Sequence, residues 1–301
     1  MKKISIVIFF VFNLGIFSQE KIADSTKVEG WQKSGKTSFL INQTAFSNWI
    51  SGGENSVAGT LSVDYNMNYS KNGWSWDTKM IGSFGVNKNS DSKFFKKIDD
   101  RIEINSVMGK KFIEKFSFSS FLNFKTQFAK GFKYSTNEDG NEIRIEKTRM
   151  FSPAYIQLGV GVYWKESNSL WVNFAPVTGR LILASKKFTN DLNDGEEYFG
   201  IPRGQKSRFE LGASVSAFYK FELAENIMLE QRVNLYSDYL YKADNIDVDY
   251  TLSAFMKIND YLSTTLIMQC IYDDNAIKKI QLREVFGLAF VVDIMKISKF
   301  I

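Results

Sequence analysis

From Val57 onward the odd positions read Val57, Gly59, Leu61, Val63, Tyr65, Met67 and Tyr69. Between them fall Ala58, Thr60, Ser62, Asp64, Asn66 and Asn68. Successive side chains of a strand point to opposite faces, so this segment has one greasy face and one wet face. The same period-two pattern recurs at 36–46, 57–69, 74–86, 101–112, 116–128 and 155–165. It returns at 170–183, 209–221, 227–239, 248–257, 261–272 and 283–294. Most of these twelve segments reach the roughly 9–11 residues that a tilted strand needs to cross a bilayer.

The connections alternate in length as regularly as the strands. "SKNG", "IEK", "ESNS", "ELAEN" and "IND" are tight, whereas 88–100, 129–152 and 184–207 are long, with shorter members of the same set near Lys242 and Asp274. An even number of long strands with short turns at one end and longer loops at the other predicts an all-β fold. The specific form is a twelve-stranded antiparallel transmembrane β-barrel of the outer membrane, with both chain ends on the periplasmic side. Aromatic residues flank the short turns, notably Tyr69 with Trp74 and Trp164 with Trp171. Such rings settle at headgroup level, so these four are expected to form a periplasmic girdle.

The chain ends add a compartment. Lys2 and Lys3 precede an apolar run over 4–12 and then "GIFSQE", the order of a secretory signal peptide, with cleavage expected after Ser18. The expected organisation is a signal peptide over 1–18, a periplasmic tail over 19–35 and a barrel over 36–301. Beyond the signal no run of eighteen apolar residues would make a helical span. The net charge of +5 falls to +3 without the two signal lysines, too little to predict nucleic acid as a partner. The expected partners are outer-membrane lipid and, through the long outer loops, other envelope proteins.

Composition restricts the chemistry further. Histidine is absent, which removes Ser–His and Cys–His pairs and the commonest zinc ligand. The single cysteine, Cys270, cannot form an internal disulfide. Acidic dyads remain at Asp99–Asp100, Asp247 with Asp249, and Asp273–Asp274, and turn or ion-pair roles explain them more simply than catalysis. The acidic pieces at 136–142 and 191–197 lack the spacing of a calcium loop and read as solvated turns. No enzyme activity, cofactor or metal is expected.

A lysine or arginine facing lipid at mid-depth costs about 2–4 kcal/mol, so the alternation assigns the strand charges to the lumen. The inward set holds Asp64, Asp77, Lys79, Arg101, Glu103, Lys125, Glu230, Arg232, Asp247 and Asp249, together with Glu210, Lys220 and Lys257. Its signs are balanced, unlike the single-sign rings of an ion-selective pore. Two readings follow: a polar passage for a small, roughly neutral solute, lined by Arg101, Glu103, Glu230 and Arg232, or a structural network that fills the lumen. At the "NWISGGEN" corner, Gly52 and Gly53 supply turn geometry that Asn55 or Ser56 can close. Trp49 and Glu54 are candidate docking residues on this first outer loop.

Several stretches carry a resemblance. They are "GW" at 30–31, "QTAFSNWISGGEN" at 43–55, "WSWD" at 74–77 and "KIDDRIEINSVMGKK" at 97–111. Further ones are "FKTQFAKGFKY" at 124–134, "SPAY" at 152–155, "APVTGR" at 175–180 and "IYDD" at 271–274. With these the chain resembles an outer-membrane barrel family of Bacteroidota, domain of unknown function 3078. The resemblance implies a barrel in the outer membrane and brings no activity with it. Barrels of this kind usually end on an aromatic residue, and here Phe300 is followed by Ile301. The leading expectation is a small passive channel or transporter for a small polar solute. The alternative is a non-conducting barrel acting as scaffold or subunit of an envelope complex.

Overall fold

The computed structural model describes residues 29–47 and 54–300, excluding the side chains of Lys278 and residues 295–300. The expected signal peptide lies outside the described residues. So do Trp49, Gly52 and Gly53 of the first outer loop.

The barrel strands are β1 (Gly30–Thr44), β2 (Ser56–Lys71), β3 (Trp74–Asn89), β4 (Lys96–Ile113) and β5 (Phe116–Thr126). A loop hairpin of β6 (Gly131–Thr136) and β7 (Glu142–Thr148) follows, then β8 (Ala154–Lys165) and β9 (Leu170–Leu183). A one-turn helix α1 (Lys186–Thr189) and the short pair β10 (Glu197–Tyr198) and β11 (Ile201–Pro202) fill the next connection. The wall is completed by β12 (Ser207–Ala224), β13 (Ile227–Asp238), β14 (Asp247–Lys257), β15 (Leu262–Asp273) and β16 (Ile277–Phe300).

Twelve of these strands close into one antiparallel barrel, in the order β1-β16-β15-β14-β13-β12-β9-β8-β5-β4-β3-β2. Each of the twelve alternating segments corresponds to one of them. Closure removes the two free edges that an open sheet would leave. The seam joins β1 to β16, from Trp31 opposite Phe300 to Ile41 opposite Leu288. Strand β1 starts at Gly30, so the last six residues of the expected tail form wall, and Trp31 packs on Tyr69 and Trp76 with ring centroids 5.2 and 5.6 Å apart.

The barrel is inverted relative to a water-soluble protein. Leu61, Leu158, Phe209 and Leu282 are 51, 57, 61 and 81% exposed on the outside, whereas Glu103, Arg180 and Glu210 are 6, 5 and 0% exposed within. A soluble chain would hide the first group and hydrate the second. An exterior of this kind fits a hydrocarbon solvent.

Strand β9 breaks the alternation in mid-strand, and the cause is a proline. In β9, Leu170, Val172 and Phe174 share a face, but beyond Pro176 the same face is taken by Val177, Gly179 and Leu181. Opposite the bulge, β8 supplies Gly161 alone against Ala175 and Pro176. Proline cannot donate to the ladder and is tolerated in sheets at such bulges. A Cβ on Gly161 would collide with the Phe174 carbonyl. The extra residue turns Arg180 into the barrel, where unbroken parity from Leu170 would have pointed it at lipid.

Candidate functional site

Charged side chains on the inner faces of the strands are joined by ion pairs, several of them across the lumen. Lys125 of β5 pairs with Asp249 of β14 at 2.7 Å, between strands on nearly opposite walls. Lys79 of β3 lies 2.7 Å from Asp64 and 3.9 Å from Glu230 of the facing strand β13. Lys220 pairs with Glu230 at 3.0 Å, and Lys165 with Asp77 at 2.7 Å. Arg101 lies 3.7 Å from Glu103. Arg232 stands over the Phe218 ring, 5.6 Å from its centroid. Lys257 sits at the short-turn rim with Asp260, 2.7 Å away.

Toward the outer end the network tightens. Arg180 binds Glu210 through Nε and reaches Asp247 at 2.6 Å through Nη1. Arg208 adds a 3.0 Å contact to Glu210, and Asn275 donates to the same carboxylate at 3.1 Å. Asp99 pairs with Arg283 at 2.7 Å rather than with its neighbour Arg101. Asp100 accepts the amides of Phe128 and Ala129 and the ammonium of Lys97 at 2.7, 2.9 and 2.7 Å. Asp273 accepts the amides of Asn275 and Ala276, which makes it the hairpin closer that its position predicts. Asp247, Asp273 and Asp274 bring carboxylate oxygens within 4.8 Å of one another. Arg180 on Asp247 and Asn245 on Asp274 already use that cluster, the latter at 2.7 Å.

Loops cover the outer mouth. Ile201 of β11 is fully buried against Ile182 and Ala184, with Tyr155 and Tyr198 packed beside them. Tyr198 stacks on Phe188 at 5.1 Å and donates to the Lys147 and Ser152 carbonyls. Glu146 of β7 binds Arg149 and Lys187, both at 2.6 Å. These hydrogen bonds hold its carboxyl down at about 2, with Arg149 the larger influence and Lys187 the next. Glu142 is likewise lowered to about 2, chiefly by Lys96. Both acidic loop pieces are turn tips, with Gly140 and Gly195 in the left-handed region at φ 78° and 83°. In the first outer loop Asn55 closes the turn by accepting from the Phe46 amide at 2.5 Å, and Glu54 accepts from Asn89 at 3.2 Å.

Two cavities lie in the lumen on either side of Lys125. The one at the short-turn end, periplasmic on the expected orientation, holds about 280 Å³ and runs from Asn168 in the β8–β9 turn up to Lys125. The outer one, of about 390 Å³, is lined by Asp99, Arg101, Glu103, Lys125, Asp249 and Arg283, and reaches Thr148 below the β6–β7 hairpin. Lys125 borders both.

The girdle needs one correction. Tyr69 and Trp74 face outward, Trp74 with Lys110 4.9 Å above its ring. Trp164 lies opposite Phe116 on the exposed face that carries Leu158 and Val160. Trp171 does not join them. It sits opposite Lys165, on the inner face with Asn173, and lines the periplasmic cavity. Its ring stacks on Phe218 at 5.8 Å and meets the edge of Tyr163 at 5.7 Å. Parity alone places it there, because Leu170, Val172 and Phe174 claim the lipid face.

Lys165, Arg180, Arg208 and Arg283 are lumen cations that the expected inward set omitted. For Arg180 the available signal was Pro176 in mid-strand. Arg208 lies one position outside the segment that began at Phe209.

Comparison with known proteins adds outline. The barrel is similar to the translocator domain of the autotransporter NalP from Neisseria meningitidis, at 9% identity over 89% of this chain and 90% of that one, with a TM-score of 0.36. It is similar to an outer membrane channel from Pseudomonas putida F1, at 8% identity over 92 and 100%, with a TM-score of 0.37. The toluene transporter TodX of P. putida gives 8% over 89 and 90%, with a TM-score of 0.29. The likeness is one of barrel outline and goes no further. No curated protein matches the chain. The motifs beyond Phe132, among them "SPAY", "APVTGR" and "IYDD", lie outside any family match. Residues 41–132, from the end of β1 into β6, match the family described as Protein of unknown function (DUF3078).

Proposed function

We propose that this chain is an outer-membrane barrel forming a narrow passive passage for a small polar solute, closed in this state by the Lys125–Asp249 pair. The carrying observation is that two cavities lined by many polar and charged side chains share one lining side chain, Lys125. Moving one flexible lysine off its partner would join them, a smaller change than rebuilding a packed core. The apolar exterior and its outward Tyr69, Trp74 and Trp164 support placement in the outer membrane. Arg101 and Glu103 lie beside the constriction, and Glu230 and Arg232 below it, with near-balanced charge that suits a solute of little net charge.

A second reading rests on a different observation. The ion pairs between facing walls are numerous enough to brace a barrel that never conducts, leaving the outer loops, including Glu54, to dock envelope proteins. Single-channel conductance in a planar bilayer separates the two, using refolded 19–301 and its Asp249→Asn variant. A passage predicts discrete steps, larger in Asp249→Asn and altered in ion preference by Arg101→Ala. Silence from both properly folded proteins would reject the passage and favour the brace.

A further inference from the structure

The periplasmic cavity differs from the rest of the lumen in being lined by amides and rings. Asn66, Asn105, Asn123, Asn173 and Asn234 enter it from five different strands, with Gln157 from a sixth. Trp171 and Phe218 form one stacked aromatic wall, buttressed by Tyr163, which is only 2% exposed.

The bonding state of these groups narrows the ligand. Every ammonium lining the cavity already has a carboxylate within 3.0 Å: Lys79 with Asp64, Lys125 with Asp249, Lys165 with Asp77, Lys220 with Glu230. A charged solute would have to displace one of these pairs. The amides, by contrast, are oriented but not exhausted. Asn123 donates to Asn105 at 2.5 Å, Asn105 to Glu103 at 2.6 Å, and Asn66 to Asp64 at 2.8 Å. Asn173 and Asn234 accept from Ser119 and Ser216 at 2.7 and 3.0 Å. A side-chain amide offers two donors and an oxygen with two lone pairs, so such anchors leave bonding capacity for a guest. Arg232 contributes a guanidinium, rich in donors, held over the Phe218 ring.

We infer that this cavity binds a neutral monosaccharide, its ring laid on the Trp171–Phe218 wall and its hydroxyls bonded to the asparagines and Arg232. A pyranose presents an apolar C–H face and a rim of groups that both donate and accept, which is what an aromatic wall edged by amides complements. The size agrees, since about 280 Å³ lies just under the range of pockets for drug-sized ligands and suits a single ring. The inference gives a substrate class to the passage proposed above and rests on that reading only for transport, not for binding.

The test is calorimetric titration of refolded, detergent-solubilised 19–301 with glucose, galactose and N-acetylglucosamine, with glucuronate, glucosamine and phenol as charged and apolar controls. At least one neutral sugar should bind saturably and more tightly than any control. Trp171→Ala should weaken that sugar about tenfold or more. Trp171→Phe should restore part of it, and Trp164→Ala, on the outer face, should change nothing. Circular dichroism and heat-modifiable gel mobility identify variants that fail to fold. For those, Phe218→Ala replaces Trp171→Ala as the test of the wall. The inference is overturned if no neutral sugar binds saturably, if a control binds better, or if folded Trp171→Ala or Phe218→Ala binds as the parent does. Conductance is scored separately. A barrel that conducts without binding sugar loses this inference alone, and one that binds sugar but stays silent loses the passage alone.

Discussion

The two halves of the lumen are built on opposite plans. The outer half is a lattice of charges, with Arg180, Arg208, Glu210 and Asp247 bound to one another under a roof formed by β11 and its buried Ile201. The periplasmic half also holds ion pairs, but it adds to them a set of amides beside two stacked rings, and it reaches the short turns at Asn168. The contrast separates rigidity from recognition. Charges removed from water need their partners, so the outer half tolerates few arrangements. Neutral amides and aromatic faces carry no such demand for a fixed ionic partner, which is the latitude the sugar inference uses.

The sharpest way to break the contrast is to remove the cation at the centre of the outer lattice. Arg180→Met leaves Asp247 without its partner and Glu210 with Arg208 and Asn275 only. Loss of one member of a buried ionic cluster typically costs about 3–5 kcal/mol. Urea unfolding of the barrel in lipid should show a loss of that order. The equivalent removal in the inner half, Asn66→Ala, should cost a small fraction of it. Equal costs would mean that the halves do not differ in the way described.

Next in size comes the bulge that aims Arg180. Gly161→Ala places a methyl against the Phe174 backbone, so either the bulge or the strand pairing must shift. Overpacking of this kind costs about 1–3 kcal/mol. If the cost arises at the bulge, combining Gly161→Ala with Arg180→Met should be less than additive, because a displaced bulge has already disturbed Arg180. Strict additivity would detach the bulge from the orientation of Arg180.

These two positions also show where the sequence is legible. Plain alternation over most of the wall discloses strand number, turn sides and most of the inward charges, because a period of two leaves each side chain a single face. The same rule places Trp171 inside, and it is the attraction of pairing aromatics across a turn that suggests otherwise. Arg180 is different: its direction depends on one extra residue, and only a proline within a strand hints at it. Partner choice is not readable at all. Asp99 lies beside Arg101 in sequence yet binds Arg283 of β16, since curvature of the barrel, not adjacency, brings the charges together. The aromatic wall escapes for the same reason, as Trp171 and Phe218 are forty-seven residues apart and meet only through the register of β9 with β12.

The smallest expected effect lies in the roof. Glu146 of the β6–β7 hairpin holds Lys187 of α1, and its carboxyl sits at about 2, below the usual 4.5, because Arg149 and then Lys187 bond its charged form. A carboxyl lowered on folding contributes stability above its unfolded value and loses it as the pH falls through the folded one. The contact between hairpin and helix should therefore be complete above pH 4.5 and fade between about 4.5 and 2. Hydrogen exchange of the amides over 185–190 should accelerate across that window while the barrel strands keep their protection. Glu146→Gln should show the faster exchange already at neutral pH and a flatter response to acid. If instead the strands and the roof lost protection together, roof and lattice would be one cooperative unit, and opening the outer mouth would require disturbing the wall itself.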